Sequence, residues 1–282
     1  MSRGSKLDFW ALANMETINS VIKFKYVFFF ILIIKKFRFI MFELVEFMKK
    51  LLLIFFLTIF FNCHKKSENK EWIYLFSDNY SSYWRSYNGD SLPKKWKISD
   101  NLLTFNTDFK LENEYTKGSD IIFSKEEFEN FELYLEWKLP KGGNSGIFYH
   151  LKEGFKETSE VAPEYQLLDD EGWEELNNAK LSSWQKAGAD YAMYSPDVKI
   201  KLLNPGGEWN STKIIFTEKK VEHWLNGKKI LTFVPWSEDW YKRKKNGKWK
   251  DSKIYGKFKT GYIGIQDHNS SISFKNMKIR KL

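Results

Sequence analysis

Residues 131–137 read Phe-Glu-Leu-Tyr-Leu-Glu-Trp, and this stretch decides the fold because its apolar and polar side chains alternate. A period of two puts one row of side chains on a core and the other row outside, as in a half-buried β-strand. Similar runs recur, and none shows the 3.6-residue period of a long helix. Strands are predicted at 131–137, 145–151, 164–168, 211–216, 220–225, 261–266 and 272–279. Short strands at this spacing predict an all-β sandwich or barrel.

The connections between these strands carry two further signals. Asn226-Gly227 separates the apolar runs 221–225 and 229–233, and it predicts a tight hairpin because both residues tolerate positive φ. Residues 236–257 are rich in Lys and Trp and are expected to form a long excursion before the last strands. Within that excursion, the basic run 241–248 is expected to be a solvated loop.

The basic charge of the chain is concentrated at its N-terminus. Residues 1–66 carry 11 Lys or Arg and 4 Asp or Glu, so +7 of the net charge of +9 lies there and only +2 remains for the rest. Binding to nucleic acid requires basic residues clustered on one face of the folded domain. The charge distribution therefore argues against a nucleic-acid partner.

The N-terminal region has the features of an export signal. Met48-Lys49-Lys50 precedes an apolar run at 51–61 that is too short to span a bilayer, which is typical of a signal peptide at 48–62. Cys63, the single cysteine, follows directly and resembles the acceptor of a bacterial lipoprotein signal. An unmodified thiol in an uncleaved anchor is the alternative. We expect residues 1–47 to be a mis-assigned upstream start or a leader, and 63–70 to be a lipid-anchored tether.

Five motifs along residues 72–282 together resemble the 3-keto-disaccharide hydrolase family. They are Phe131-Glu-Leu-Tyr-Leu-Glu-Trp-Lys-Leu-Pro-Lys-Gly-Gly-Asn-Ser-Gly-Ile-Phe148, Glu164-Tyr-Gln-Leu-Leu-Asp169, Gly207-Glu-Trp-Asn210, Val221-Glu-His-Trp-Leu-Asn-Gly227 and Gly261-Tyr-Ile-Gly-Ile-Gln-Asp-His268. The resemblance implies a concanavalin A-like jelly-roll β-sandwich over residues 71–282, built of two antiparallel sheets. It also implies a site on the concave face and cleavage of glycosides whose glucose C3 hydroxyl is oxidised to a ketone.

The resemblance also implies partners and a location. The substrate is a carbohydrate, and a separate sugar 3-oxidoreductase must supply its ketone. With the signal peptide, it predicts an exported lipoprotein anchored to a membrane, in the periplasm or at the outer membrane or cell surface. No cofactor is expected to be required, although a structural calcium ion is compatible with a fold of this type. Asp169 and Asp170 are expected to end a strand, with a metal contact as the alternative.

Strand alternation selects the candidate catalytic residues. Glu164 and Gln166 share one face of their strand, and Gly264, Gln266 and His268 share the outward face of another. If both strands lie in one sheet, Glu164 and His268 form a proton-transfer pair, with Glu164 as the base and His268 as the acid, or the reverse. Gly264 is expected to leave room for the ligand, and the two glutamines are expected to bind sugar hydroxyls.

Further residues complete the predicted binding site. Asn144 and His150 are placed on one strand face with Phe148 and are candidates for substrate contacts. Trp209 is a candidate platform for stacking on a sugar ring. His223 alternates with Val221 and Leu225, so we expect it in the core. The four histidines show no spacing typical of a zinc site, and no metal ligand is predicted.

Three functions remain open at this point. The first is a hydrolase acting on the glycosidic bonds of 3-keto sugars. The second is a non-catalytic carbohydrate-binding lipoprotein in which Trp184, Trp209 or Trp224 stacks on sugar rings. The third is an adhesive surface lipoprotein that uses the lysine-rich segment near Lys242. An ordinary retaining glycosidase is disfavoured, because it needs a second carboxylate near Glu164 and the strand offers Gln166 instead.

Overall fold

The computed structural model describes residues 23, 25, 26, 29–52, 71–107 and 119–282. The chain divides into an N-terminal unit and a unit from Asn69 to Leu282. Residues 29–52 of the first unit are helical. Among the described residues, no helix combines the length and apolar character needed to cross a membrane. Cys63, the tether at 63–70 and all of the apolar run beyond Leu52 lie outside the described residues.

Thirteen strands and two short α-helices make up the described part of the second unit. The strands are β1 (Ile73–Tyr74), β2 (Trp84–Ser86), β3 (Trp96–Ser99), β4 (Leu102–Phe105), β5 (Ile121–Phe128), β6 (Phe131–Lys138), β7 (Asn144–Leu151), β8 (Glu164–Leu168), β9 (Asn210–Thr217), β10 (Lys220–Leu225), β11 (Lys228–Phe233), β12 (Gly261–Ile265) and β13 (Ile272–Lys281). The helices are α1 (Asp170–Asn177) and α2 (Glu238–Asn246). All seven predicted strands are present, with ends shifted by at most two residues.

The strands form two antiparallel sheets. One has eight strands in the order β11-β10-β9-β6-β13-β4-β3, with β1 paired to β13, and the other has five in the order β2-β5-β12-β7-β8. The inward side chains of both sheets form one apolar core that includes Trp137, Tyr149, Tyr165 and Phe274. Burial of each of these side chains contributes roughly 1.5–3 kcal/mol. The predicted all-β sandwich of two antiparallel sheets is therefore confirmed.

The β10–β11 hairpin forms where the sequence predicts it. Asn226 and Gly227 both adopt positive φ, at 45° and 77°, between strands that pair from Leu225–Lys228 to Val221–Phe233. A second tie holds this turn, because the Asn226 side-chain oxygen accepts a hydrogen bond from the Ser211 backbone N–H at 2.7 Å. The hairpin therefore sets the register at one edge of the eight-stranded sheet.

The lysine-rich excursion differs from the prediction of a solvated loop. Part of the basic run 241–248 lies on α2, which begins after the N-cap Ser237 and carries its basic residues in the last turn. That arrangement suits the negative end of the helix dipole. Three aromatic side chains of the excursion, Trp240, Trp249 and Tyr255, are buried in the core. The excursion is thus a packed part of the domain.

Candidate functional site

The outer face of the five-stranded sheet carries a row of polar positions across four strands. Ile121 pairs with Ile265, Ile265 with Ile147, and Ile147 with Tyr165, and all four point into the core. The residues one step along each strand therefore face outward side by side. They are, in sheet order, Asp120, Gln266, Gly146 and Gln166, and we call them the polar row. The Gln266 backbone N–H donates to the Gly146 carbonyl at 2.9 Å, which confirms this alignment.

Glu164 lies beside the polar row and leans over it. The residue pairs with Phe148, and its side chain extends across Gly146, where an added Cβ atom would stand 2.0 Å from Oε1. Gly146 therefore makes the space that the carboxyl group occupies. Glu164 is only 4% exposed, and its carboxyl group accepts no hydrogen bond from any described residue. The predicted division of β8, with Tyr165 and Leu167 in the core, is confirmed.

This environment raises the pKa of Glu164 to about 8. Burial is the main cause, since a carboxylate loses its hydration there. The negative charge of Asp120 raises the pKa further, Lys248 opposes it, and Asp190 adds a smaller upward effect. Glu164 is therefore mostly protonated near neutral pH. A carboxyl group of this kind is able to give a proton to a leaving oxygen.

Three amides lie on the same sheet face as this carboxyl group. The Gln166 side chain donates a hydrogen bond to the Asn144 side-chain oxygen at 2.9 Å. The Asn144 backbone N–H in turn donates to the Ser270 hydroxyl. The Oε1 atom of Gln266 is buried and has no hydrogen-bond partner among the described residues. Unpartnered buried oxygens are rare in folded proteins. The structure thus brings Glu164, Gln166, Gln266 and Asn144 together, as the sequence analysis expected.

Asp120 is a member of the site that the sequence analysis missed. Its Oδ1 accepts from the Asp267 backbone N–H at 2.8 Å, and its Oδ2 accepts from the Thr158 hydroxyl. Burial raises the pKa of Asp120 to about 6, although these two hydrogen bonds act in the opposite direction. The residue directly precedes β5, which the sequence analysis did not predict. Its proximity to Gln266 follows only from the pairing of β5 with β12.

A second missed segment packs along the edge of β8. The Tyr191 backbone N–H donates to the Glu164 carbonyl at 2.9 Å, so residues 187–194 continue beyond this edge strand. Asp190 in this segment points into the core, where it accepts from the Tyr149 hydroxyl at 2.8 Å. Burial raises the pKa of Asp190 to about 7, opposed by that hydrogen bond. Tyr191 in turn receives a hydrogen bond from Lys248 at 3.2 Å, which brings a cation near Glu164.

His268 lies at the margin of the site. It follows Gln266 by two residues and is exposed, in a loop whose position is set by Asp267. Asp267 accepts hydrogen bonds from the backbone N–H groups of Ser119 and Asn269. The structure therefore places His268 on the loop after β12, close in sequence to the polar row but open to solvent.

The prediction that His150 shares the face of Asn144 is wrong. His150 has a φ of 54°, and the pairing of β7 with β12 shifts register between Tyr262 and Gly264. This irregularity turns the imidazole into the core, where its Nε2 lies 2.8 Å from the Glu129 carbonyl and its ring contacts Phe216. Burial lowers the pKa of His150 to about 4. His150 is therefore a neutral core residue and does not reach a ligand on the outer face.

His223 is in the core, as predicted. It is fully buried, its Nδ1 lies 3.0 Å from the Gly188 carbonyl, and burial lowers its pKa to about 4.

The space expected at Gly264 is filled by protein. A Cβ atom added at Gly264 would meet Leu151 at 3.0 Å and Phe148 at 3.4 Å, and both side chains cover the outer face there. On the neighbouring strand β7, the missing side chain of Gly146 does leave room, and the Glu164 carboxyl group occupies it. The prediction that Gly264 leaves room for a ligand is therefore wrong.

The three tryptophans predicted to stack on a sugar ring lie in two different parts of the domain. Trp209 is on the outer face of the eight-stranded sheet, with the ammonium groups of Lys138 and Lys275 over its ring at 5.1 and 4.2 Å. Trp224 has Lys213 over its ring at 4.0 Å. The structure therefore does not bring Trp209 to Glu164. Trp184 does lie near the site, in edge contact with Tyr191 at 5.6 Å between ring centroids.

The described residues contain no group of three or more His, Cys, Asp or Glu side chains arranged to hold a metal ion. Asp169 accepts from the Gly142 backbone N–H at 2.8 Å. Asp170 pairs with the buried ammonium group of Lys201 and accepts from the Ala187 backbone N–H at 2.8 Å. Asp169 directly follows the end of β8 and is the N-cap of α1, and Asp170 is the first residue of that helix. Both carboxylates are therefore occupied by protein donors.

Fold and site define the class of protein: a β-sandwich of two antiparallel sheets whose outer sheet face holds a buried acid among amides. The chain belongs to the family of 3-keto-alpha-glucoside-1,2-lyase-like domains, whose model matches residues 71–280. It is 33% identical over 231 residues to the 3-keto-disaccharide hydrolase of Bacteroides thetaiotaomicron, which covers 75% of this chain and 78% of that protein. The chain is therefore an enzyme that cleaves glycosidic bonds, and the resemblance seen in the five motifs is confirmed.

Two solved structures from Parabacteroides distasonis share this fold, and both proteins have been assigned to the glycosyl hydrolases. The first is 38% identical with a TM-score of 0.65, covering 75% of this chain and 94% of its own. The second is 26% identical with a TM-score of 0.55, covering 75% of this chain and all of its own. The uncovered part of this chain corresponds in size to its N-terminal region.

Proposed function

We propose that this enzyme cleaves glycosides in which the C3 hydroxyl of glucose has been oxidised to a ketone. The family and the B. thetaiotaomicron relative both take their names from such substrates. The single observation that carries the proposal is the Glu164 carboxyl group. It is buried above Gly146, lacks a hydrogen bond to any described residue, and holds its proton near neutral pH. That state suits proton transfer to a leaving group.

A ketone at C3 makes this cleavage accessible to proton transfer alone. The ketone acidifies the hydrogen on C2, a base removes it, and the resulting enolate expels the substituent at C1. Water then adds at C1 to complete hydrolysis. A positioned base and a positioned acid each contribute about 10²- to 10⁴-fold to such a reaction. Of the two assignments predicted for Glu164 and His268, the raised pKa of Glu164 favours the acid role for Glu164.

The amides of the site supply substrate contacts. Gln166, Asn144 and Gln266 lie on the same sheet face as Glu164, and the Oε1 of Gln266, which has no partner among the described residues, is able to accept a hydrogen bond from a sugar hydroxyl. The rival proposal, a module that only binds carbohydrate through Trp209 or Trp224, has less support. Lysine ammonium groups lie over both rings, where a sugar would have to stack.

A comparison of two substrates tests the proposed function. The purified protein is given a 3-keto-glucoside with a chromogenic leaving group and, separately, the same glucoside without the ketone. We expect release from the keto substrate only, because the unoxidised sugar has no acidified hydrogen on C2. Equal release from both substrates would contradict the proposed chemistry, and saturable binding without release would favour the carbohydrate-binding alternative.

Export, lipid anchoring and an upstream oxidoreductase complete the proposal. The signal-like sequence at 48–62 and Cys63 support attachment to a membrane by a lipid on Cys63. Metabolic labelling with a radioactive fatty acid should label the wild-type chain, whereas Cys63→Ser should stay unlabelled in the same cells. Labelling of both chains would rule out Cys63 as the acceptor. The requirement for a ketone implies a partner enzyme that oxidises the sugar at C3.

A further inference from the structure

An acid at Glu164 requires a base on the same sheet face. Asp120 stands at the opposite end of the polar row from Gln166, with Gln266 beside it and Gly146 next. Two strand spacings, about 9.6 Å, separate the backbones of Asp120 and Gly146. The Glu164 carboxyl group lies above Gly146, so Gln266 stands between Asp120 and this carboxyl group in the row, and the charge of Asp120 acts on Glu164. A substrate that contacts both carboxyl groups would lie over Gln266.

We propose that Asp120 is the catalytic base that removes the C2 proton of the 3-keto sugar, opposite Glu164 as the acid. The inference rests on the proposed cleavage of 3-keto-glycosides. Asp120 thereby takes the role of the base, for which the sequence analysis offered Glu164 or His268.

The hydrogen bonds of Asp120 hold it in one orientation without exhausting its oxygens. The Asp267 backbone N–H binds Oδ1 and the Thr158 hydroxyl binds Oδ2, and each carboxylate oxygen accepts more than one hydrogen bond. One lone pair on each oxygen thus remains for the substrate. His268, in contrast, is exposed on a loop. A base fixed by two donors is the better positioned of the two.

The charges around both carboxyl groups separate their protonation states. Among charged groups, Asp120 has the strongest effect on Glu164, whose pKa is about 8, while the pKa of Asp120 is about 6. Asp267 and Glu157 face Asp120 and raise its pKa. Lys248 and Asp190 act on Glu164 in opposite directions. Near neutral pH the pair therefore holds one proton, on Glu164, which is the arrangement that a base and an acid require.

The reaction then returns both residues to their starting states. Asp120 takes the C2 proton, the C2–H electron pair forms the enolate, and the enolate reforms the C3 ketone as the C1–O bond breaks. Glu164 gives its proton to the departing oxygen, which leaves an alcohol and a C1–C2 double bond. Water adds to C1 and passes a proton to Glu164, and protonated Asp120 returns its proton to C2. The sum is hydrolysis of one glycosidic bond.

Two measurements distinguish the acid from the base: the dependence of kcat on the leaving group, and the exchange of the C2 hydrogen with solvent. Each variant is assayed on a 3-keto-glucoside with an alkyl leaving group and on one with a nitrophenyl leaving group, which departs without a proton. Loss of C2 hydrogen to D₂O is followed by NMR. We expect Asp120→Asn to lower kcat about 10³-fold on both substrates and to abolish exchange. We expect Glu164→Gln to lower kcat by about 10²-fold or more on the alkyl substrate only, with exchange retained.

Two further variants serve as references. Glu160→Gln removes an exposed carboxylate near Thr158 that lies outside the polar row, and it should stay within about twofold of wild type. His268→Ala should stay within about threefold if Asp120 is the base. Loss of cleavage and exchange in His268→Ala, with both retained in Asp120→Asn, would overturn the assignment. Absence of cleavage and exchange in the wild type would instead refute the proposed function itself.

Thr158→Val tests the assignment without removing Asp120. The Thr158 hydroxyl lowers the pKa of Asp120, so its loss should raise that pKa and move the low-pH limb of the kcat profile upward by about one pH unit. A structural role alone would reduce the amount of folded enzyme without moving this limb. If Asp120→Asn does not fold, the Thr158→Val profile decides, and an unshifted limb refutes the proposal.

Discussion

The outer faces of the two sheets use the same alternation of side chains but reach opposite electrostatic states. On the five-stranded sheet, Glu164 is buried without a protein donor among the described residues, and its pKa rises to about 8. On the eight-stranded sheet, burial also acts on Glu136, but hydrogen bonds from Asn276, Tyr134 and Lys275 prevail and lower its pKa. Both residues are outward-facing glutamates on β-strands.

Other segments of the chain cover the two sheet faces to different extents, and this explains the difference in pKa between Glu164 and Glu136. On the five-stranded sheet, Phe148 and Leu151 pack under Val161 and Ala162, and the segment near Ile254 closes over them. The Gly256 N–H donates to the Val161 carbonyl at 2.8 Å, which joins the two covering segments. On the eight-stranded sheet, Lys275 lies over the Trp209 ring at 4.2 Å and also pairs with Glu136 at 3.4 Å. Donors around Glu136 thus offset its desolvation, whereas Glu164 has no such donor among the described residues.

The largest expected effect separates the two glutamates by activity. Glu164→Gln should lower kcat/KM on a 3-keto-glucoside with an alkyl leaving group by about 10²- to 10⁴-fold, since the variant has no proton to give. Glu136→Gln, the matched change on the other face, should leave it within about twofold. Steady-state kinetics of both variants measure this. An equal loss in both would mean that the two faces do not differ in function.

The second prediction uses the glycines of the five-stranded sheet. Gly146→Ala places a methyl group 2.0 Å from the present position of Glu164 Oε1, so the carboxyl group must move. A displacement of this size should lower kcat about 10²-fold. Gly264→Ala meets the side chain of Leu151 at 3.0 Å and should mainly reduce stability, by about 1 to 3 kcal/mol. A normal kcat in Gly146→Ala would show that the Glu164 carboxyl group takes no part in the reaction.

The third prediction concerns stability as a function of pH. The folded protein keeps the Glu164 proton up to a pKa of about 8, whereas the unfolded chain loses it near the ordinary glutamate pKa of 4.5. Stability contributed by this group is therefore lost as the pH rises between these values. Glu164→Gln escapes the loss, so near pH 9 it should be more stable than wild type by about 2 to 5 kcal/mol.

Urea unfolding at a series of pH values measures this difference, which should shrink towards zero near about pH 4. Glu136→Gln gives the opposite sign, because the lowered pKa of Glu136 contributes stability above its unfolded pKa. A stability difference that does not change with pH in Glu164→Gln would show that this carboxyl group is not desolvated.

The smallest effect is expected on the eight-stranded sheet. Lys275→Met removes an ammonium group that lies 3.4 Å from Glu136 and 4.2 Å from the centroid of the Trp209 ring. Such exposed contacts contribute about 0.5 to 1 kcal/mol each at most. Thermal unfolding should show a slight loss of stability, and turnover should not change. A large loss of turnover would mean that the substrate reaches this face after all.

The sequence predicted the parts of the site that depend on local alternation. Glu164 and Gln166 were placed on the outward face of β8 from the pattern of five residues, and Gln266 followed from the pattern of β12. Asp120 was missed because it directly precedes β5, and the alternation of that strand ends in the polar run Ser124 to Glu127. Asp190 and Lys248 lie in irregular segments, where no period indicates which way a side chain points.

His150 shows where alternation fails inside a predicted strand. The residue belongs to β7, but its φ of 54° reverses the direction that the period of two predicts. A positive φ at a non-glycine residue is held by surrounding packing, here by Phe216 and Trp236 against the imidazole. No local pattern signals it, because the contacts that hold this conformation come from residues distant in the chain.

The sequence by itself determined the all-β class and its main strands, the hairpin at Asn226-Gly227 and the outward position of Glu164. These features depend on residues close together in the chain, where sterics and alternation act directly. Only the tertiary structure decided which carboxyl groups lie on the same sheet face. Asp120 directly precedes β5 and Glu164 lies on β8, two strands stand between β5 and β8 in the sheet, and the raised pKa of Glu164 depends on residues from distant parts of the chain. Strand register and desolvation are properties of the assembled sheet, and no short stretch of sequence contains them.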